Sequence, residues 1–179
     1  MRPLRPLALT VAALAVGGLA ACGGATEERA APEPTPPASA PAPAAAGDAA
    51  PLEPGLPDYV AGHESWAKLN AAPIPPAEGG DPHDGTKDVF ASQPKGADGR
   101  FPDGTVIVKR SERSGDGFTR LVAVMRKQAG SAPERGDWEF VEYTRGGPDE
   151  PFSEFASGAV CSGCHMQAAD DGDWAFTAR

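Results

Sequence analysis

The chain is poor in the residues that cross-link a fold or gather a metal. It has three cysteines and three histidines among 179 residues. Cys22, Cys161 and Cys164 offer one pair and a remainder, so a disulfide framework is excluded. His63 and His83 lack the spacing of a zinc finger's paired histidines, which leaves a zinc site short of ligands. Long hydrophobic runs are missing too. The longest, Leu7 to Ala21, is too short and too rich in Ala and Gly for a good membrane span, which takes about 20 residues. Basic charge is also scarce. Lys and Arg number 16 against 25 Asp and Glu, for a net charge of -9. With a pI near 4.8, the chain lacks the basic face that nucleic-acid binding needs. The acidic balance is compatible with docking to a basic protein, but it is ordinary for a soluble domain. No internal repeat is present.

Proline (20) and glycine (22) are plentiful and unevenly placed. The chain starts with Arg2 and Arg5 before the apolar run, then "LAAC" from Leu19 to Cys22. This resembles the bacterial lipobox, in which the cysteine becomes the lipidated first residue. The alternative is a plain secretory peptide with Cys22 a leftover thiol. Residues 1–21 thus read as a lipoprotein signal peptide. Gly23 follows the cysteine where many inner-membrane lipoproteins have an acidic residue, which leans towards the outer membrane. Residues 22–57 have almost no large apolar side chains and cannot offset the entropy of folding. They read as a lipid-anchored, proline-stiffened tether. The domain proper is expected over residues 58–179, facing the periplasm or the cell exterior.

Within it, "PDYVAGHESWAKLN" predicts a short helix capped by Asp58, with Tyr59, His63 and Trp66 at helical spacing. Pro73, Pro75 and Pro76 end it. A brief strand is expected near Val89 and Phe90. Three firmer strands follow: "TVIVKR", "FTRLVAVMRKQ" after the hairpin signal "SGDG", and "WEFVEYT". Leu121, Ala123 and Met125 alternate with Val122 and Val124, and Trp138 and Phe140 with Val141 and Tyr143. Apolar residues on both faces predict a sheet covered on both sides. Trp66 and Trp138 read as core. The covering element is expected to be a helix, a partner chain or a large cofactor rather than the sheet's own loops.

Near the C-terminus, Cys161, Cys164 and His165 form C-x-x-C-H, the signature of covalent c-type haem attachment. Residues i and i+3 share a face of a helical turn, so both thiols can add to haem vinyl groups. His165 then lies under the iron as proximal ligand, and Ser162 and Gly163 are small enough for close approach. A thioredoxin-type pair usually opens a helix early in a βαβ unit, and no such pattern is present. A Cys161–Cys164 disulfide would close a very small loop. The nearest methionine, Met166, adjoins the proximal histidine and cannot reach the opposite face. Met125, His63 and His83 are the remaining candidates for a sixth ligand, and each has an ordinary structural reading. The sixth position is expected to be open or water-filled.

The pieces "ESWAKLN", "PHDGTKDVFAS", "RFPDGTVIVKR", "LVAVMRK", "DWEFVEYT" and "CSGCHMQAADDGDWAFT" occur in an order that resembles the cytochrome P-460 family, including the cytochromes c′-β, over nearly all of residues 60–179. The resemblance implies an α+β fold: a predominantly antiparallel sheet, a few helices, and a C-terminal helix carrying the attachment motif. It implies a homodimer with one covalent haem c, bound by Cys161 and Cys164 and ligated by His165. Its P-460 branch oxidises hydroxylamine and carries a lysine–porphyrin cross-link; its c′-β branch binds gases such as nitric oxide. Lys109 is the candidate for the cross-link, sharing a strand face with Thr105 and Ile107. Lys68, Lys87, Lys95 and Lys127 read as surface residues. Glu112, Glu134, Glu139 and Glu142 are candidate proton acceptors by type alone, most of them expected in solvent. Asp170, Asp171 and Asp173 read as capping or solvating a helix end, and Trp174 and Phe176 as packing near the sheet or haem. The function expected is binding, with possible oxidation, of a small nitrogen ligand, with electrons passing to an external acceptor. A low-spin electron-transfer cytochrome and a non-catalytic gas sensor or scavenger are the alternatives.

Overall fold

The computed structural model describes residues 51–176. Cys22, the expected signal peptide and all but the last residues of the expected tether lie outside the described residues. Six antiparallel strands form one sheet in simple sequence order. They are β1 (Ala67–Lys68), β2 (Thr86–Ala91), β3 (Val106–Glu112), β4 (Thr119–Lys127), β5 (Trp138–Thr144) and β6 (Ser153–Ser157). Two short helices follow, α1 (Ala159–His165) and α2 (Ala169–Gly172), joined by a 3-10 turn. The fold is α+β, as expected. Among the described residues no helix is long and apolar enough to cross a membrane.

The three firmer strands form where β-branched residues cluster, because such side chains pack well on a pleated surface. The "SGDG" stretch lies in the β3–β4 connection, and Lys109 pairs with Ala123 while Ile107 pairs with Met125. Alternation sorts the apolar residues onto two faces. One carries Val89, Ala91, Ile107, Met125, Trp138 and Phe140. The other carries Val106, Val108, Val122 and Val124. Val108, Val122 and Trp138 have no exposure at all; full burial of a side chain of valine size or larger contributes about 1.5–3 kcal/mol.

What covers these faces differs from the expectation. The chain's own connecting segments do most of it, with helix α1 adding Cys161 to the first face. Leu56, Val60 and Phe152 close the second face, and Phe101 and Ala175 pack on the first. Loops can do this because a few large side chains suffice to fill a sheet face when their backbone polar groups stay paired at its edge, as Phe152 N does on Pro54 O (2.8 Å).

The expected helix at Asp58 is instead two 3-10 turns, Asp58–Val60 and His63–Ser65. Gly62 between them takes φ 70°, a left-handed conformation that ends helical continuity. Pro57, not Asp58, occupies the N-cap position. The strand near Val89 is six residues long. Strands β1 and β6 carry no hydrophobic alternation and were invisible to it; β6 is mostly exposed.

Candidate functional site

The connection from β6 delivers the C-x-x-C-H motif. Helix α1 follows β6 directly and packs against β5 and β6. Cys161 is half-buried, Cys164 is exposed, and both are free thiols. Burial, then Glu142 and Cys164, push the Cys161 thiol up from its usual range. A Cβ built on Gly163 meets nothing within 4 Å, so the outer side of this turn is open. Val160 and Met166 flank the motif in sequence with exposed apolar side chains, and Phe155 on the preceding strand β6 is exposed too. An apolar macrocycle would cover such groups.

His165 is buried. Its Nδ1 lies 2.7 Å from the Trp174 carbonyl. A carbonyl only accepts, so Nδ1 carries the proton and Nε2 keeps its lone pair for a metal. Burial, then the nearby charges of Lys109 and His83, lower its pKa to about 4 despite that hydrogen bond. The imidazole is therefore neutral, the form that ligates. Phe140 and Phe176 pack around it with tilted rings, at ring-centre distances of 4.9 and 5.4 Å. Two thiols three apart, a neutral buried imidazole at the next position and an open apolar flank fit a haem.

The sheet face beneath His165 is the one that carries Lys109. Alternation placed Lys109 with Ile107, and both lie on this face. Its Nζ donates to His83 Nδ1 at 3.3 Å, and His83 Nε2 lies 3.3 Å from Glu142 Oε2. Lys109 pairs with Ala123 and Ala123 with Glu142. The small alanine thus separates a cation and a carboxylate, and His83 bridges them from the β1–β2 loop. That loop is held by Asp81 Oδ1, which accepts from His83 N at 3.0 Å. The His83 and His165 rings are 6.3 Å apart.

Of the four glutamates considered, only Glu142 reaches this place; it is buried, whereas Glu112, Glu134 and Glu139 are exposed. Solvation was the wrong expectation for Glu142 because its strand position alternates with Val141 and Tyr143 towards the covered face. Lys87 and Lys127 are likewise not surface residues. Lys87 is buried and ion-paired with Asp81, and Lys127 meets Asp173 at 2.6 Å. Lys127 is drawn inward by a buried carboxylate 46 residues away, and Lys87 by a carboxylate only six residues before it. Asp173 is 2% exposed, unlike the solvated Asp170 and Asp171.

The other sixth-ligand candidates are elsewhere. Met125 sits in the apolar core. His63 lies on the opposite side, its Nδ1 on Val60 O at 2.9 Å and its ring against Trp66 and Phe90. Met166 is exposed, beside His165. Trp66 is only partly buried. A cleft of about 570 Å³ opens on that opposite face near Glu64, Asp88, Phe90 and Arg110. Its Arg110 is already paired with Glu64 and Glu53 and its Arg113 with Asp84, and it contains none of the C-x-x-C-H residues. Among the described residues no cluster of three or more metal-ligating side chains occurs, so one imidazole beside two thiols remains the distinctive arrangement.

The sequence offered His83 only as a candidate sixth ligand, and gave no sign of its place between Lys109 and Glu142. Only the Gly85 turn and the strand register bring it to Lys109 and Glu142. A search of curated proteins found no match to the chain. A family model for cytochrome P460 matches residues 62–177, which contain the β-sheet, the Lys109–His83–Glu142 group and the terminal motif; the chain belongs to the cytochrome P460 family, and the cofactor that membership implies is a haem.

Proposed function

We propose that this protein is a c-type cytochrome with one haem, covalently bound through Cys161 and Cys164 and ligated by His165, whose distal side takes a small nitrogen ligand such as nitric oxide or hydroxylamine. The observation that carries this reading is the neutral, buried His165, with Nδ1 committed to Trp174, beside the Lys109–His83–Glu142 group on one sheet face. When bound, the haem supplies an iron centre that takes the ligand and passes its electrons to an external acceptor. His165 holds that centre from one side. Glu142 accepts protons given up by the ligand, and His83, which accepts from Lys109 at Nδ1 and faces Glu142 through Nε2, holds that carboxylate in place. Phe140 and Phe176 exclude water around the proximal imidazole. Lys109 is the residue for the cross-link to the porphyrin that marks the oxidising branch. The chain is further proposed to be exported, lipid-anchored through Cys22 with the outer membrane preferred, and homodimeric.

Intact mass and tryptic mapping of protein matured in a haem-exporting host test this directly. Two thioethers and one haem per chain are expected. Colourless protein with both thiols open to alkylation would overturn the reading. Hydroxylamine oxidation with an artificial acceptor then separates an enzyme from a sensor or scavenger.

One observation favours a second reading, a six-coordinate electron carrier. In that reading His83 and His165 would both hold the metal through a ring nitrogen. The His83–His165 separation is 6.3 Å. Against it, His83 Nδ1 accepts from Lys109 while Nε2 faces Glu142, so both nitrogens are engaged. A low-spin spectrum insensitive to nitric oxide would choose the carrier.

A further inference from the structure

We infer that Asp173 is a positioning residue for the proximal side of the haem: its buried ion pair with Lys127 holds the Trp174 carbonyl on Nδ1 of His165 and so sets the basicity of the iron ligand. The inference rests on the reading that His165 ligates iron.

The chain makes an unusual turn to deliver that carbonyl. Asp173 and Trp174 both take left-handed backbone conformations, φ 52° and 65°. Neither is a glycine, and for a bulky residue such as tryptophan this region is a real outlier. Two consecutive residues stay there only where the surroundings over-determine them. The surroundings do. Asp173 Oδ2 accepts from the Phe101 backbone N–H at 2.8 Å and from Lys127 Nζ at 2.6 Å. Arg100 stands 3.6 Å from Oδ1. Lys127 is itself fixed on β4, with its ammonium 5.3 Å from the centre of the Trp138 ring. Trp174 N donates to Ala168 O at 2.9 Å, closing the turn. The Trp174 ring lies where a Cβ on Gly136 would come within 2.8 Å of it; only glycine leaves that space.

The result is a rigid path from the sheet through Asp173 to one carbonyl oxygen, nine residues beyond the histidine it contacts. A hydrogen bond from the non-ligating nitrogen raises the basicity of an imidazole ligand and fixes its ring orientation. Asp170 and Asp171, in the same acidic run, are exposed and have no part in this path. The sequence alone gives no reason to separate the third acid from the other two.

The test is Asp173→Asn in full-length, haem-loaded protein, with Asp170→Asn and Asp171→Asn as controls. The readouts are the iron–histidine stretching frequency of the ferrous, five-coordinate form and the reduction potential. Asp173→Asn should lower the frequency and move the potential positive, because a weaker Trp174 hydrogen bond leaves a less basic ligand. The two controls should change neither. Lys127→Met reaches the same pair from the sheet side and keeps the Asp173–Phe101 bond. It should move both readouts in the same direction, and it decides the matter if Asp173→Asn does not fold. Folded, haem-loaded variants with wild-type frequency and potential would overturn the inference. Wild-type protein that binds no haem would instead remove the function on which it rests.

Discussion

Lys109 and Glu142 stand two strands apart on one sheet face, separated by Ala123 and linked through His83. Neighbouring strands are about 4.8 Å apart, so the two backbones are roughly 10 Å from each other. That gap is too wide for direct contact between short side chains, yet one imidazole spans it. A cation, an imidazole and a carboxylate therefore form a connected line beside His165, on the side of the sheet where the terminal motif docks.

Glu142→Gln tests the proton acceptor. The amide keeps the shape but cannot take a proton. Hydroxylamine oxidation should fall by about 10²- to 10⁴-fold, the usual contribution of a positioned general base. Haem content should not change. Turnover within a few-fold of wild type would place the base elsewhere.

Lys109→Met separates the two branches of the family. Peptide maps of the wild type should show a porphyrin adduct on the peptide containing residue 109, absent in the variant, with both cysteine adducts retained. An unmodified Lys109 in active wild-type protein would rule out the cross-link as a requirement for activity.

His63 should make the domain sensitive to acid. Burial, assisted by Arg110, lowers its pKa below the ordinary 6.5 even though the Val60 carbonyl pulls the other way. As pH falls, the unfolded chain takes up the proton first. Stability is therefore complete above about 6.5 and declines as pH drops towards the lowered folded-state value. Its Nε2 is buried without a partner, so His63→Leu gives up only the Val60 bond. Urea midpoints measured from pH 7.5 to 4.5 should fall less steeply for the variant. Parallel slopes would show that other groups control the acid limb.

Gly85 gives a stability test tied to the site. It takes φ 109°, and a Cβ there would come within 2.4 Å of the Glu112 carbonyl oxygen. Gly85→Ala must open the end of the β2–β3 pair or displace the loop that carries His83. A loss of about 1–3 kcal/mol is expected from the backbone strain, together with altered ligand affinity. A variant as stable as wild type would mean that the loop relaxes freely.

The reading from sequence reached furthest where chemistry is local. The C-x-x-C-H triplet needs only a helical turn to bring its groups together, and α1 supplies it. Alternation sorted Leu121 to Met125 and Trp138 to Tyr143 onto their faces, because a period of two follows from the strand backbone itself. It failed where partners are distant. Lys127, Glu142 and Asp173 look like surface charges until folding brings a counter-charge or hydrogen-bond partner to each. The helix expected at Asp58 failed for a smaller reason: the spacing of Tyr59, His63 and Trp66 suits a helix, and Gly62 breaks it.

Residue order alone is enough for the C-x-x-C-H motif and the strand alternation, because each depends on neighbours within a few positions, and for the family, because its pieces follow one another along the chain. The placing of His83 between Lys109 and Glu142, and of the Trp174 carbonyl on His165, came only with the folded chain. Both depend on strand register and on buried pairs between residues tens of positions apart, where one carboxylate chooses among several lysines by geometry that no local pattern encodes.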